Sequence, residues 1–256
     1  MFISAHAWGS LYSCQAKNLA IDSQNTTVIS ITGKHLPNKT NDDVLQIYID
    51  KQETTYLPKG LQNHFPNIIS MVVITSQVKF IRKQDFRGLE KLKQISLGDN
   101  EIQTVPQDTF VDLRDLEQIY LYLNHLEEVN SDLFKENFKL KAILLDHNKL
   151  RLIGSQIFTH LKHLKNVDLD GNACINKKYP ETSFSGLIQE MSNNCRDPLE
   201  EIKTLMNSNE QKLNAIIEKL DSRCETIELE IQKLQVENQH LKDENAKLSK
   251  ALKATA

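Results

Sequence analysis

Apolar residues recur through the middle of the chain at one fixed interval. The pattern L-x-x-[I/L/V]-x-L-x-x-N reads Leu92, Ile95, Leu97, Asn100, then Leu116, Ile119, Leu121, Asn124, then Leu140, Ile143, Leu145, Asn148, then Leu164, Val167, Leu169, Asn172. Neighbouring copies lie 24 residues apart each time, and Phe86, Phe110, Phe134 and Phe158 keep the same step. Apolar residues at alternate positions predict a short strand with one face turned inward. A strand so short cannot bury that face alone, so successive copies must stack.

This period predicts an α/β leucine-rich repeat solenoid, a horseshoe of 24-residue coils with a parallel β-sheet on its concave face. Leu97, Leu121, Leu145 and Leu169 would pack in one column and the phenylalanines would fill the convex side of the core. Each Asn sits where the chain leaves the strand, and its amide can bond the backbone groups that the bend leaves unpaired. Subtracting 24 from Leu92 finds two weaker copies, Ile68/Met71/Val73 with Ser76 at the Asn position and Val44/Ile47/Ile49 with Gln52. About six repeats are therefore expected over residues 44–172, behind an N-terminal segment and cap over 1–43. Within that cap Thr27, Ile29 and Ile31 alternate with Val28, Ser30 and Thr32 as a short strand ending at Gly33.

Residues between the inward positions face the concave surface. One column reads Tyr48, Val72, Ser96, Tyr120, Leu144, Asp168 and the next Asp50, Ile74, Gly98, Tyr122, Asp146, Asp170. Tyr48, Val72, Ile74, Tyr120, Tyr122, Leu144 and Asp146 are the candidate protein-binding residues, because aromatic anchors dominate protein interfaces. The alternative is that they only cover the sheet.

After Asp197-Pro198 the period becomes helical, and residues 198–256 read as a coiled coil. Ile217, Cys224, Ile231, Asn238, Asn245 and Leu252 occupy position a, and Leu213, Leu220, Ile227, Leu234, Leu241 and Leu248 position d. Lys203 and Glu210 leave the upstream register open. A seam Asn is costly unless it faces another Asn, so Asn238 and Asn245 favour a parallel, in-register pair. Arg223 would meet Glu228 and Glu237 would meet Lys242, so a homodimer is permitted, as is a heterodimer with a related repeat protein. Cys224 would face its own copy as a candidate interchain disulfide, or pack as a small hydrophobe in the seam.

The four cysteines place the remaining boundaries. Cys174 follows the last repeat Asn and Cys195 closes the segment before the helix, so a Cys174–Cys195 bridge would pin a cap over 173–197 on the open apolar end of the array. Two buried thiols are the alternative. A bridge favours an oxidising compartment, and Asn25 and Asn38 stand in N-x-T glycosylation sequons. Ala5-His6-Ala7 resembles a signal cleavage site behind only Met1-Phe-Ile-Ser, which suggests a start cut short, and a cysteine lost upstream would explain Cys14.

The net charge of −3, with no basic stripe, argues against nucleic acid and against an anionic membrane surface. No apolar run reaches the about 18 residues of a membrane span, and no lipid-anchor tail is seen. There is no G-x-G-x-x-G, P-loop, G-x-S-x-G or H-E-x-x-H motif, and His160 and His163 lack a third ligand, so neither an enzyme nor a cofactor or metal site is expected. The mixed charges of 196–223 do not form the basic region that a zipper transcription factor needs.

Taken together, the repeats, the two-cysteine cap and the coiled coil resemble the secreted leucine-rich repeat immune proteins of mosquitoes and related flies. Tyr12-Ser13-Cys14, Lys39-Thr-Asn-Asp-Asp-Val44 and Tyr56-Leu-Pro-Lys-Gly-Leu61 also look like segments of dipteran secreted repeat proteins. The resemblance implies disulfide-linked dimers that hold a complement-like thioester protein in haemolymph, although this chain has fewer repeats and carries its candidate interchain cysteine inside the zipper. The expectation is a secreted, dimeric, non-enzymatic recognition or carrier protein of innate immunity. The alternatives are an extracellular adhesion or matrix protein and an intracellular repeat scaffold.

Overall fold

In a computed structural model, residues 11–16, 28 and 35–254 are described, and the chain divides into a repeat unit running to Glu201 and a helical unit from Ile202 onward. The repeat unit is built on one sheet. Strand β1 (Ser13–Ala16) pairs in parallel with β2 (Gln46–Asp50), followed by β3 (Ser70–Ile74), β4 (Gln94–Ser96) and β5 (Gln118–Tyr120). A two-residue strand, β6 (Glu128–Val129), lies outside this sheet, which continues through β7 (Ala142–Leu144). Strand β8 (Leu152–Ile153) pairs with β6, while β9 (Asn166–Asp168) and β10 (Lys178–Pro180) complete the main sheet. From β2 to β9 the paired Cα atoms, such as Ile47, Met71, Ile95, Ile119, Ile143 and Val167, step by 24 residues, giving six repeat strands.

The inward column is fully excluded from water: Leu97, Leu121, Leu145 and Leu169 are all 0 % exposed. Phe86, Phe110, Phe134 and Phe158 are buried behind them, with ring centroids 5.7 Å apart for Phe86–Phe110 and 6.1 Å for Phe110–Phe134. The last four coils contribute the same Leu and Phe columns, and Ile49 and Val73 continue the inward column in the first two, so one continuous core holds the solenoid together.

The Asn ladder has a defined chemistry. Asn124 Nδ2 donates to Leu97 O (2.9 Å) in the preceding coil and to Leu121 O (3.1 Å) in its own, while its Oδ1 accepts from Ile102 N at 3.0 Å. Asn100, Asn148 and Asn172 repeat this arrangement, and at the same position Ser76 Oγ accepts from Gln52 N at 3.2 Å. One residue earlier, Lys51, Thr75, Asp99, Leu123, His147 and Gly171 all hold positive φ between 50° and 65°. That left-handed step turns the chain out of the strand and aims the following amide into the coil.

On the opposite side of the coil a narrower ladder forms. Tyr56 bridges Phe80, Phe80 bridges Thr104, and β6 pairs with β8, again at steps of 24 residues. Leu152 then bridges Arg196, so the segment after the cap docks onto the last coil. Gly154 is required there, because a Cβ would collide with the Ser131 backbone nitrogen.

In the N-terminal cap, β1 is a strand that the sequence pattern did not suggest, and Cys14 on it is buried, its thiol pushed up to about 12 by that burial. The expected strand around Val28 falls mostly outside the described residues; Val28 itself is buried and its N–H donates to Lys59 O at 2.9 Å.

At the other end, Cys174 and Cys195 are joined by a disulfide, Cα–Cα 5.0 Å. The bridge holds α1 (Phe184–Asn194), whose Leu187 and Met191 are buried in the core. Strand β10 runs antiparallel to β9 and closes the sheet, with Tyr179 wholly buried and its hydroxyl donating to Glu190 Oε2 at 2.6 Å. Helix α2 (Pro198–Ala254) follows. Asp197 caps its first turn, accepting from Leu199 N (2.9 Å) through Oδ1 and from Ser155 N (2.8 Å) of the last coil through Oδ2.

Candidate protein-binding surfaces

Two surfaces present side chains without an obvious structural duty. The first is the concave sheet. Tyr48, Val72, Ser96, Tyr120, Leu144 and Asp168 are successive Cα partners and so form one transverse row. Tyr48, Ile74, Tyr120, Tyr122, Leu144 and Asp146 are half-buried, whereas Val72 is 8 % exposed and offers a ligand little area. Ser96 and Gly98 are also buried, and the ring of Tyr122 lies over Gly98. Burial, and then the nearby Tyr122, push the Tyr120 hydroxyl above its usual range; Tyr48 is raised by burial, Asp50 and Tyr122. The Tyr48 and Tyr120 rings are therefore neutral at physiological pH and present amphipathic faces.

A third concave row escaped the sequence reading. Gln46, Ser70, Gln94 and Gln118 lie in register, and Gln46 Nε2 donates to Ser70 Oγ (3.0 Å), which donates to Gln94 Oε1 (3.3 Å). Tyr120 donates to Gln118 Oε1 at 2.8 Å. A polar residue at the first strand position of four consecutive repeats was the available signal. At the C-terminal end of the concave face Lys178 Nζ lies 2.7 Å from Asp168 Oδ2, so the acidic end of the first row is partly neutralised by the cap strand.

The second surface is the helical unit. Ile217, Leu220, Ile227, Ile231 and Leu234 are 46–63 % exposed, with Cys224 and Asn238 exposed beside them. An apolar stripe this long on a solvated helix is unstable in water without a partner. The side chains of Leu241, Asn245 and Leu248 lie outside the described residues. Leu229 and Val236, also exposed, fall on the opposite side of the helix from the a and d positions.

Of the sequons, Asn38 sits exposed at φ 63° in a turn, and Asn25 lies outside the described residues. No helix among the described residues is long and apolar enough to cross a membrane. No group of three or more His, Cys, Asp or Glu side chains among them could hold a metal ion.

The stacked parallel strands, the buried Asn ladder and the capped ends define a leucine-rich repeat solenoid. In agreement, residues 66–126 match the leucine rich repeat family. Solved structures include the APL1 leucine-rich repeat domain (20 % identity, TM-score 0.50, 59 % of this chain and 39 % of that one). They also include a chain of the Drosophila Toll–Spatzle complex (15 % identity, TM-score 0.39, 55 % of this chain and 29 % of that one). A chain of the octameric complex of Latrophilin 3, Unc5D and FLRT2 matches at 25 % identity and TM-score 0.46, over 51 % of this chain and 39 % of that one. The chain thus spans well under half the length of each of these solved chains. No curated protein sequence matches significantly. The leucine-rich repeat fold is typically a non-enzymatic scaffold for protein interaction.

Proposed function

We propose that this chain is a secreted, non-enzymatic protein-binding module that acts as a parallel dimer in innate-immune recognition or carriage. The observation that carries this reading is the exposed stripe from Ile217 to Asn238 on a helix that follows a capped array. The stripe calls for a helical partner, and the seam Asn residues and the e/g charges suit a second copy in register. Two copies would present two concave faces and bind a bivalent target with avidity. The Cys174–Cys195 bridge and the exposed Asn38 sequon support secretion. The resemblance to dipteran immune repeat proteins supports a complement-like thioester protein as ligand, held by Tyr48, Tyr120, Tyr122 and Leu144 on the concave face.

The test is a gel, with and without reductant, of full-length protein expressed behind a working signal peptide, comparing wild type with Cys224→Ser. A dimer that reductant or the substitution collapses supports secretion, a parallel helix pair and the interchain bridge together. A wild type that runs as a monomer by gel and by light scattering overturns the dimer. Co-purification of a thioester protein from haemolymph, lost in Tyr120→Ala with Tyr122→Ala, supports the immune reading; retention on extracellular matrix instead supports an adhesion protein.

A further inference from the structure

Upstream of Leu213 the seam register does not continue. Counting by sevens from Ile217 places Glu210 and Lys203 at position a, where in a parallel pair each would face its own copy as a buried like charge. Of the exposed apolar residues there, Met206 (65 %) and Leu213 (57 %) keep position d of that register, whereas Ile202 (53 %) and Ile216 (55 %) stand at position g, beside the charged a positions.

Read in order, Ile202, Met206, Asn209, Leu213, Ile216, Leu220, Cys224 and Ile227 are separated by 4, 3, 4, 3, 4, 4 and 3 residues. Every step is three or four, so the positions form one unbroken stripe. The extra four between Leu220 and Cys224 equals the insertion of four residues into a heptad pattern, which locally unwinds a coiled coil. The neighbouring pair Ile216 and Ile217 fits this reading, because where the phase shifts both positions turn toward the seam, and both are apolar and exposed.

We infer that the dimer interface of the helical unit starts at Ile202 and contains a four-residue phase shift at 216–220, with a second copy of this chain as its occupant. The inference rests on the dimer reading above. The shifted register moves Lys203 and Glu210 to the flank of the seam, where their charges stay hydrated, and brings Asn209 into the seam as a third Asn that can face its own copy. Flanking positions under this register pair Leu205 with Glu210 and Lys212 with Ile217, so no like charges oppose each other. The charge pattern therefore admits a second copy along the whole stripe, whereas the uninterrupted register places two like-charge contacts inside it. The function of such a shift would be to relax the supercoil near the repeat unit, below the tighter zipper that carries Cys224.

Single cysteines in full-length Cys224→Ser protein test this. Ile202→Cys, Asn209→Cys, Lys203→Cys, Glu210→Cys and the reference Ile231→Cys are oxidised under identical conditions, and the rate of interchain crosslinking is read on a gel. Seam positions bring Cβ atoms close enough for a disulfide and flanking positions do not, so cysteines at 202 and 209 should crosslink at least about tenfold faster than those at 203 and 210. The reverse order establishes the uninterrupted register and overturns the inference. Crosslinking at 231 with none at 202 or 209 overturns it as well, while leaving the dimer intact. Absence of crosslinking at every position, 231 included, is failure of the dimer reading itself. As a second measure, Lys203→Leu with Glu210→Leu should leave the dimer's melting temperature nearly unchanged. A large rise would show that those residues occupy the seam.

Discussion

The ring of Tyr122 lies over Gly98, so that a Cβ at residue 98 would collide with Cζ and both Cε atoms of that ring. Gly98 is the Cα neighbour one coil before Tyr122 on the concave face, and its lack of a side chain lets the ring lie down across the sheet. A Gly98→Ala variant must therefore lift the ring. Because the obstacle is the far end of a rotatable side chain, the stability loss should stay within about 1 kcal/mol. Gly154→Ala differs, because the atom it meets is the Ser131 backbone nitrogen, and it should cost about 1–3 kcal/mol. Denaturant melts compare the two, and nitration of Tyr122 followed by mass spectrometry should accelerate in Gly98→Ala. Unchanged nitration with a large stability loss would show that the ring cannot leave.

The Asn ladder is expected to matter most in the middle of the array. Asn124→Ala leaves the amide of Ile102 without its side-chain partner in a site where Asn124 is 3 % exposed, while the carbonyls of Leu97 and Leu121 each lose one of two donors and keep Nδ2 of Asn100 and of Asn148. One unsatisfied buried group costs about 1–3 kcal/mol, so a loss on the order of 2–3 kcal/mol is expected. Asn172 makes the same bonds but is only half-buried at the last repeat, where water can replace the amide, and Asn172→Ala should lose clearly less. Equal losses in urea melts would refute burial as the source of the difference.

The repeat spacing made the core legible: one interval fixed the Leu, Asn and Phe columns, and each lands where a stacked coil would need it. The same spacing could not show the left-handed column, because Lys51, Thr75, Asp99, Leu123 and His147 share a backbone conformation but no chemical type. Leu123, 47 % exposed at φ 50°, is a residue that local preference would not place there; the following Asn imposes the turn. The antiparallel cap strand was hidden for a different reason. Lys178-Tyr179-Pro180 is a single alternation outside the period, and only its contact with Asp168 and its buried tyrosine identify it as the end of the sheet. On the concave face the tyrosines were visible as types, but which of them rise and which lie flat depended on Gly98, a neighbour 24 residues from Tyr122.

Two carboxylates should respond to pH with opposite signs. Asp85 is buried beside Arg82 and Lys59, whose nitrogens lie 3.6 and 3.7 Å from Oδ1, and Oδ1 accepts no hydrogen bond. Burial outweighs those cations and holds its carboxyl above the usual range. The folded state therefore keeps this proton to higher pH than the unfolded chain does, and stability falls as pH rises from the ordinary Asp range through the raised value. Glu190 is the reverse: the Tyr179 hydroxyl, followed by Lys177, holds it below its usual range. Its contribution is present above the ordinary Glu range and is lost as pH falls through the lowered value. Asp85→Asn should gain on wild type as pH rises through the acid range and then level off, whereas Glu190→Gln should lose ground over the same rise. Urea melts at a series of pH values measure both slopes. If Asp85→Asn instead lost ground with rising pH, the ion pairs with Arg82 and Lys59 would outweigh the burial of that carboxylate.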